Sequence, residues 1–279
     1  MRWVPLVASL VAAAVITPTT VRGLAAQGMV RENYRGAPVA FPTGVALLIP
    51  AMVALVVVAP LYQLVDLDVL QPGFGLGLVY VFGIGFLGLL DDLAGSSVGQ
   101  PRGWRGHFGA LGSGQLSTGL FKAIGALGLA LFVAADPQVG AGTYVLSAAV
   151  LVLATNVFNL LDLRPGRAGK AFILLGAGLT IGSWRLAPLW TIGLFLGPIL
   201  VLLPLDLREV GMLGDTGSNV IGAVAGVWLI LTLTTTLALA IAAGVLALVT
   251  LYGEFRSISA FVERTPGLRQ LDLLGRSHA

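Results

Sequence analysis

The sequence predicts an all-α, polytopic membrane helix bundle of about nine transmembrane helices, with the N-terminus outside and the C-terminus cytoplasmic. Three observations predict it. The 279-residue chain is 57% hydrophobic and only 10% charged, with mean hydropathy +0.94, whereas a soluble domain carries about 25% charged residues. Apolar stretches of roughly membrane-spanning length recur along nearly the whole chain. The basic residues fall in alternate loops. There is no cysteine, and the two histidines, His107 and His278, stand far apart. Disulfides, thiolate chemistry, a His-based zinc site and a Ser-His-Asp triad are thereby disfavoured. Nothing in the chain points to a nucleic-acid partner.

Taken in order, the apolar stretches cover 4–21, 44–65, 74–90, 116–135, 141–161, 168–184, 186–205, 219–234 and 237–253. The last two need a break between them, because no charge separates Asp215 from Glu254. One helix over that distance would be about 57 Å long, against a hydrocarbon core of about 30 Å. The break belongs near "TLTTT" (232–236). With the N-terminus outside, segments 22–43, 91–115, 162–170, 206–218 and 254–279 become cytoplasmic. Of the 16 Lys and Arg, only Arg2 and Arg185 then fall outside; the other 14 sit in those segments or, like Lys122, within two turns of one. Asp66, Asp68 and Asp136 lie in outer loops. "MRWVPLVASLVAAAVI" with "GLAAQ" after it also has the shape of a secretory signal peptide. Cleavage there would invert every later loop, and the charge distribution opposes it. No repeat is visible. The chain divides into a transmembrane domain, 1–253, and a basic cytoplasmic tail, 254–279.

Three polar motifs interrupt this pattern. Asp91 and Asp92 end the third stretch, "NVFNLLD" (156–162) ends the fifth, and "GMLGDTGSN" (211–219) precedes the eighth. Span parity brings all three to the cytoplasmic face. Carboxylates from separate helices suit a hard divalent cation such as Mg²⁺, which takes one or two carboxylates plus substrate phosphates. The start of the eighth helix offers free N–H groups for an anion. Asn156 and Asn159 can hydrogen-bond a sugar or base, and Lys122 can direct its charge at a phosphate. Each part also has a plain reading: an interfacial helix end, an N-cap, interhelical hydrogen bonds, a positive-inside lysine. His107 reads as a polar loop residue. Arg256, Arg264, Arg269 and Arg276 read as contacts to anionic headgroups. Jointly the motifs point to Mg²⁺-assisted phosphoryl transfer at the cytoplasmic interface.

"GLLDDLAG", "TNVFNLLD" and "GDTGSNVIG", in that order, resemble the polyprenyl-phosphate N-acetylhexosamine-1-phosphate transferases, the superfamily that includes the phospho-N-acetylmuramoyl-pentapeptide transferase. "NYRGAPVAFPTG" (33–44) is similar to the family's first cytoplasmic loop, and the likeness runs from about residue 4 to 253. The resemblance implies transfer of a sugar 1-phosphate from a UDP-sugar to polyprenyl phosphate, with release of UMP. This would be an initiating step of cell-envelope glycan synthesis at the plasma membrane. It implies Mg²⁺ as cofactor, and it leaves room for a homodimer. By the same resemblance Asp215 and Asp92 hold the metal, and Asp91 lies near the lipid phosphate. These three form the catalytic set. Lys122, Asn156, Asn159, Asp162, Arg164, Gly214 and Ser218 are the expected substrate-binding residues.

The sequence departs from the family at Gly95, where a lysine is usual, and at Pro165, where a second aspartate is usual. The region after 253 has one histidine in place of a cluster, and no tenth span. Proline supplies neither a carboxylate nor an N–H. The expected donor is therefore smaller than, or different from, UDP-muramyl-pentapeptide, with Arg164, Arg167, Lys170, Arg256 or Arg264 as substitute phosphate contacts. The alternative is an inactive relative serving as a membrane transporter or lipid-phosphate-binding protein. Transporters place intramembrane charge near the midplane, whereas Asp91, Asp92, Asp162 and Asp215 all sit at span ends.

Overall fold

Long apolar runs must close their backbone hydrogen bonds internally in hydrocarbon, and the α-helix does so within one segment. A computed structural model describes residues 1–71, 73–94 and 118–277; Gly95, His107 and His278 lie outside the described residues. The apolar runs become helices: α1 (Val4–Ala26), α2 (Val45–Leu64), α3 (Phe74–Ala94), α4 (Thr118–Ala134), α5 (Ala141–Leu161), α6 (Arg167–Ser183), the short α7 (Ala187–Thr191), α8 (Gly193–Leu207), α9 (Gly214–Thr232) and α10 (Thr236–Phe255). Two further helices, α11 (Ile258–Arg264) and α12 (Pro266–Leu273), follow.

Six of these, α1, α2, α3, α5, α9 and α10, are long and apolar enough to cross a membrane. The other three expected spans hold shorter helices: α4 and α6 have 17 residues and α8 has 15. At 1.5 Å per residue, 15 residues reach only about 22 Å. The sequence boundary between α7 and α8 explains part of this, since the stretch from 186 is broken at Ile192 rather than continuous. The break between the last two stretches falls as expected. α9 ends at Thr232, and α10 begins after Thr235, whose hydroxyl accepts from the Ala238 N–H.

α9 is the hub. It packs on α3 and α5 and touches α2 and α6, and nearly its whole surface is buried. α1 lies against α2 and α8, while α4 and α10 flank α5. With no hydrophobic drive between helices in lipid, close backbone approach carries the packing. At Gly88 of α3, a Cβ would lie 2.6 Å from the carbonyl oxygen of Asp215, so any side chain there would push α3 off the start of α9.

One small feature is not helical. Val30–Glu32 and Pro38–Ala40 pair as a small antiparallel hairpin, β1–β2. Its turn is set by Asn33, whose side-chain oxygen accepts from the N–H groups of Arg35 (2.9 Å) and Ala37 (3.0 Å); this is the local bonding that makes Asn a turn residue. The hairpin is tied to the α8–α9 connection by the Met212 N–H, which donates to Ala40 at 2.9 Å. The tail is itself helical: residues after 255 fold into α11 and α12 and dock on the bundle through the buried Arg167–Asp272 and Arg276–Asp272 pairs.

Candidate functional site

The three motifs meet where α3 ends, α4 and α9 begin, and α5 ends. Lys122, from the first turns of α4, reaches two carboxylates. Its ammonium donates to Asp91 Oδ2 at 2.8 Å and to Asp215 Oδ2. One cation thus joins three helices. All three side chains keep some exposure, 17% for Asp91, 25% for Lys122 and 33% for Asp215.

Asp92 does something else. Its Oδ1 accepts from the Asp215 N–H at 2.9 Å, and its Oδ2 accepts from the Thr216 N–H at 2.8 Å and the Thr216 hydroxyl at 2.6 Å. An α-helix leaves its first N–H groups without intrahelical partners. Here an aspartate from another helix caps α9. Asp92 is buried at 7% exposure, and with these three donors it acts as a cap on α9, apart from the Lys122 ion pairs. The N–H groups expected to hold a substrate anion already hold this carboxylate. Gly214 makes the approach feasible. It has φ +69°, and a Cβ on it would lie 2.6 Å from Asp92 Oδ2; both facts require glycine.

A pocket of about 270 Å³ opens beside this cluster. Its lining includes Asp92, Asn159, Asp162, Arg164, Gly214, Asp215 and Ser218. Asn159 donates to Asn219 Oδ1 (3.1 Å) and Ser218 Oγ (3.3 Å), fixing α5 against α9. Ser218 in turn donates to the Gly214 carbonyl at 2.9 Å. Arg164 stacks over the Tyr34 ring at 4.7 Å and pairs with Glu263 at 3.4 Å. Asp162 follows the last turn of α5. Its burial, and then the neighbouring carboxylates of Asp206, Asp215 and Asp92, push its carboxyl well above the usual carboxylate range.

Asn156 is not part of this group. Its amide donates to Thr250 Oγ1 of α10 at 3.3 Å, so it joins α5 to α10 away from the pocket lining. Arg167 and Lys170 are also elsewhere. Arg167 makes a two-armed ion pair with Asp272 (2.8 and 3.0 Å) and donates to Ser259 (2.9 Å). Lys170 donates to the carbonyls of Asp272 (2.5 Å) and Leu274 (3.1 Å). These bonds take up the arginine and lysine that the sequence offered as phosphate contacts. Pro165 gives its carbonyl to Arg276 at 3.0 Å.

Several residues in and around the pocket escaped the sequence reading. Asp206, 5% exposed, accepts from the Gly166 N–H at 2.8 Å and lines the pocket. It carries the same signal as Asp91, an acid closing an apolar run, and could have been found by it. Glu209 accepts from Asn33 (2.8 Å) and the Tyr34 hydroxyl (3.2 Å), holding the hairpin over the pocket. Arg31 lies over the Phe41 ring at 3.7 Å on the same wall. Thr216, as a donor to Asp92, was visible only as part of "GDTGSN".

Neither protein-family models nor curated protein sequences give a match to this chain.

Proposed function

We propose that the chain transfers a sugar 1-phosphate from a UDP-sugar to polyprenyl phosphate at the cytoplasmic membrane face, releasing UMP. The observation that carries this reading is the junction of Asp91, Lys122 and Asp215 from three helices beside a small pocket with charged side chains in its lining. In this reading all nine apolar stretches sit in the membrane, and the cluster faces the cytoplasm because 14 of 16 basic residues lie on that side.

The donor set is suited to Mg²⁺. Asp91 and Asp215 present hard carboxylate oxygens on either side of one ammonium. Among the described residues no group of three or more His, Cys, Asp and Glu side chains could hold a metal. A two-carboxylate site completed by substrate oxygens matches what Mg²⁺ accepts. Asp215 and Asp91 would hold it, and bound Mg²⁺ would supply charge neutralisation at the pyrophosphate.

The chain's own residues do the rest. A phosphate monoester has its second pKa near 6, so the acceptor is largely ionised at neutral pH and needs little base help. Positioning and charge compensation then dominate, as in other phosphoryl transfers. An oxygen of the lipid phosphate attacks the phosphorus bonded to the sugar. The bond from that phosphorus to the bridging oxygen breaks, and UMP leaves with the electron pair. Lys122 holds phosphate oxygens once it exchanges a carboxylate for them. Asp91 orients the acceptor. Arg31 and Arg164 line the pocket and can contact the donor's phosphates, while Tyr34 and Phe41 offer aromatic faces. The pocket volume, about 270 Å³, lies just below the range of about 300–1,000 Å³ usual for ligand sites, and the preference for a simple UDP-sugar over a pentapeptide-bearing one rests on the departures at Pro165 and after residue 253.

The test is a donor panel on purified protein with polyprenyl phosphate and Mg²⁺, read as UMP release. The reading predicts Mg²⁺-dependent UMP from at least one simple UDP-sugar and less from UDP-muramyl-pentapeptide. UMP release that is unaffected by EDTA would remove the metal from the account.

A further inference from the structure

A second cavity, about 420 Å³, lies between α6, α10 and the two C-terminal helices, separate from the pocket described above. Its walls are almost wholly apolar, formed by residues such as Leu174 of α6, Leu248 and Tyr252 of α10, and Val262 and Leu271 of the tail. Tyr252 and Phe261 meet edge to face at 5.5 Å, which fixes the tail against α10. Dry, apolar cavities do not hold water, because water there lacks hydrogen-bond partners. Leu174 and Leu248 are 55% and 68% exposed, so the cavity opens to the apolar surroundings of a membrane-embedded helix face.

One end of the cavity is charged. Arg167, Lys170 and Asp272 line it, and Arg276 pairs with Asp272 at 2.7 Å. Three cations therefore meet one carboxylate, with Asp206 on the far side of Gly166. Among the described residues, Lys170 uses two of its three ammonium hydrogens, both on backbone carbonyls. This end stands at the start of α6, the level at which positive-inside residues meet anionic headgroups. Arg264 and Arg269 lie exposed on the adjoining tail helices.

We infer that this cavity holds one acyl chain of an anionic two-chain phospholipid, its headgroup phosphate against Lys170. The apolar walls select a chain, and the uncompensated positive end selects an anionic head. The tail helices then form a lipid-bound clasp across α6 and α10. This goes beyond the transfer reaction and does not depend on it.

The experiment is native mass spectrometry of the full chain in neutral detergent, titrated with phosphatidylglycerol or phosphatidylcholine of identical chains. Phosphatidylglycerol should be retained at one site about fivefold more strongly, the worth of one lysine near an anionic headgroup. Lys170→Gln should erase that preference. Leu174→Trp, on a face that already tolerates exposure, should fill the cavity and reduce retention of both lipids. Equal retention of the two lipids by the wild type would overturn the proposal, as would retention indifferent to both variants. Preferential retention of polyprenyl phosphate over phosphatidylglycerol would also overturn it, making the cavity an acceptor site.

Discussion

Two ionic clusters lie within this protein, and they are built oppositely. At the tail, Arg167, Lys170 and Arg276 surround Asp272, whose side chain is 7% exposed. Both carboxylate oxygens of Asp272 accept arginine N–H groups, and the lysine is spent on carbonyls. At the α3–α4–α9 junction one lysine serves two carboxylates. The adjoining pocket is lined by Asp92, Asp162, Asp206, Glu209 and Asp215 against Arg31 and Arg164. In the first cluster the carboxylate is bonded in full, and Lys170 keeps one ammonium hydrogen beyond its two carbonyl partners among the described residues. The second is open and gathers more carboxyl groups than cations. Buried or half-buried charge is costly unless paired. Asp272 has its partners within the chain, whereas the junction sets two carboxylates on a single lysine, and in the proposed reading a cation from outside binds there. The bonding pattern separates the two roles more clearly than residue type does, since both clusters are made of Asp, Lys and Arg.

The largest effect should come from removing one junction carboxylate. Asp215→Asn should lower UMP formation by at least about 10³-fold, or roughly 4 kcal/mol of barrier, while the melting temperature changes little. Circular dichroism melts alongside the assay separate loss of chemistry from loss of fold. Breaking the other cluster should do the reverse. Asp272→Asn leaves Arg167 buried without its counter-ion, and losses of about 3–5 kcal/mol are usual for that. Denaturant unfolding should register it, with UMP release per folded molecule unchanged. It follows that removing residues 256–279 should destabilise the bundle instead of leaving it intact.

Acid should divide the clusters by sign. Burial raises the Asp272 carboxyl, but the Arg167 and Arg276 guanidiniums outweigh it and hold it below the usual carboxylate range. A depressed acid contributes stability above its unfolded value, about 4, and loses it as pH falls through the folded value. Limited proteolysis should therefore release the tail progressively below about pH 4. The same change should be nearly flat with pH in Asp272→Asn. Asp162 is shifted the other way. A raised acid contributes below its unfolded value and loses that contribution as pH rises through the folded one. Asp162→Asn should therefore stabilise the protein at pH 7, even as it impairs donor binding. A destabilised Asp162→Asn protein would mean that its carboxylate has a compensating partner. The smallest effect belongs to Asn156→Ala. It removes one interhelical hydrogen bond, worth about 0.6 kcal/mol in a membrane, and should leave the KM for the donor unchanged.

What the sequence could reveal depended on range. Asp91, Lys122 and Asp215 were legible because a charge at the end of an apolar run stands out against its neighbours. The break before Thr236 was legible because a longer helix would overrun the bilayer. The capping bonds of Asp92 were not, although it adjoins Asp91, because they depend on the backbone approach allowed at Gly88 and Gly214. Asn156 and Asn159 look equivalent in sequence. Three residues on a helix turn the side chain about 60° from alignment, enough to send one to α10 and the other to α9. The tail read as a basic stretch against anionic headgroups because its composition hides which charges are paired. The hairpin was too short, at three residues per strand, to register as periodicity.

The most direct measurement is Mg²⁺-dependent UMP release from a UDP-sugar and polyprenyl phosphate, run on wild type, Asp215→Asn and Asp272→Asn and normalised to folded protein. The account predicts release by wild type, none by Asp215→Asn, and near-normal release by the folded fraction of Asp272→Asn. Turnover that survives Asp215→Asn, or that disappears equally in both variants, would contradict the division between an open chemical cluster and a closed structural one.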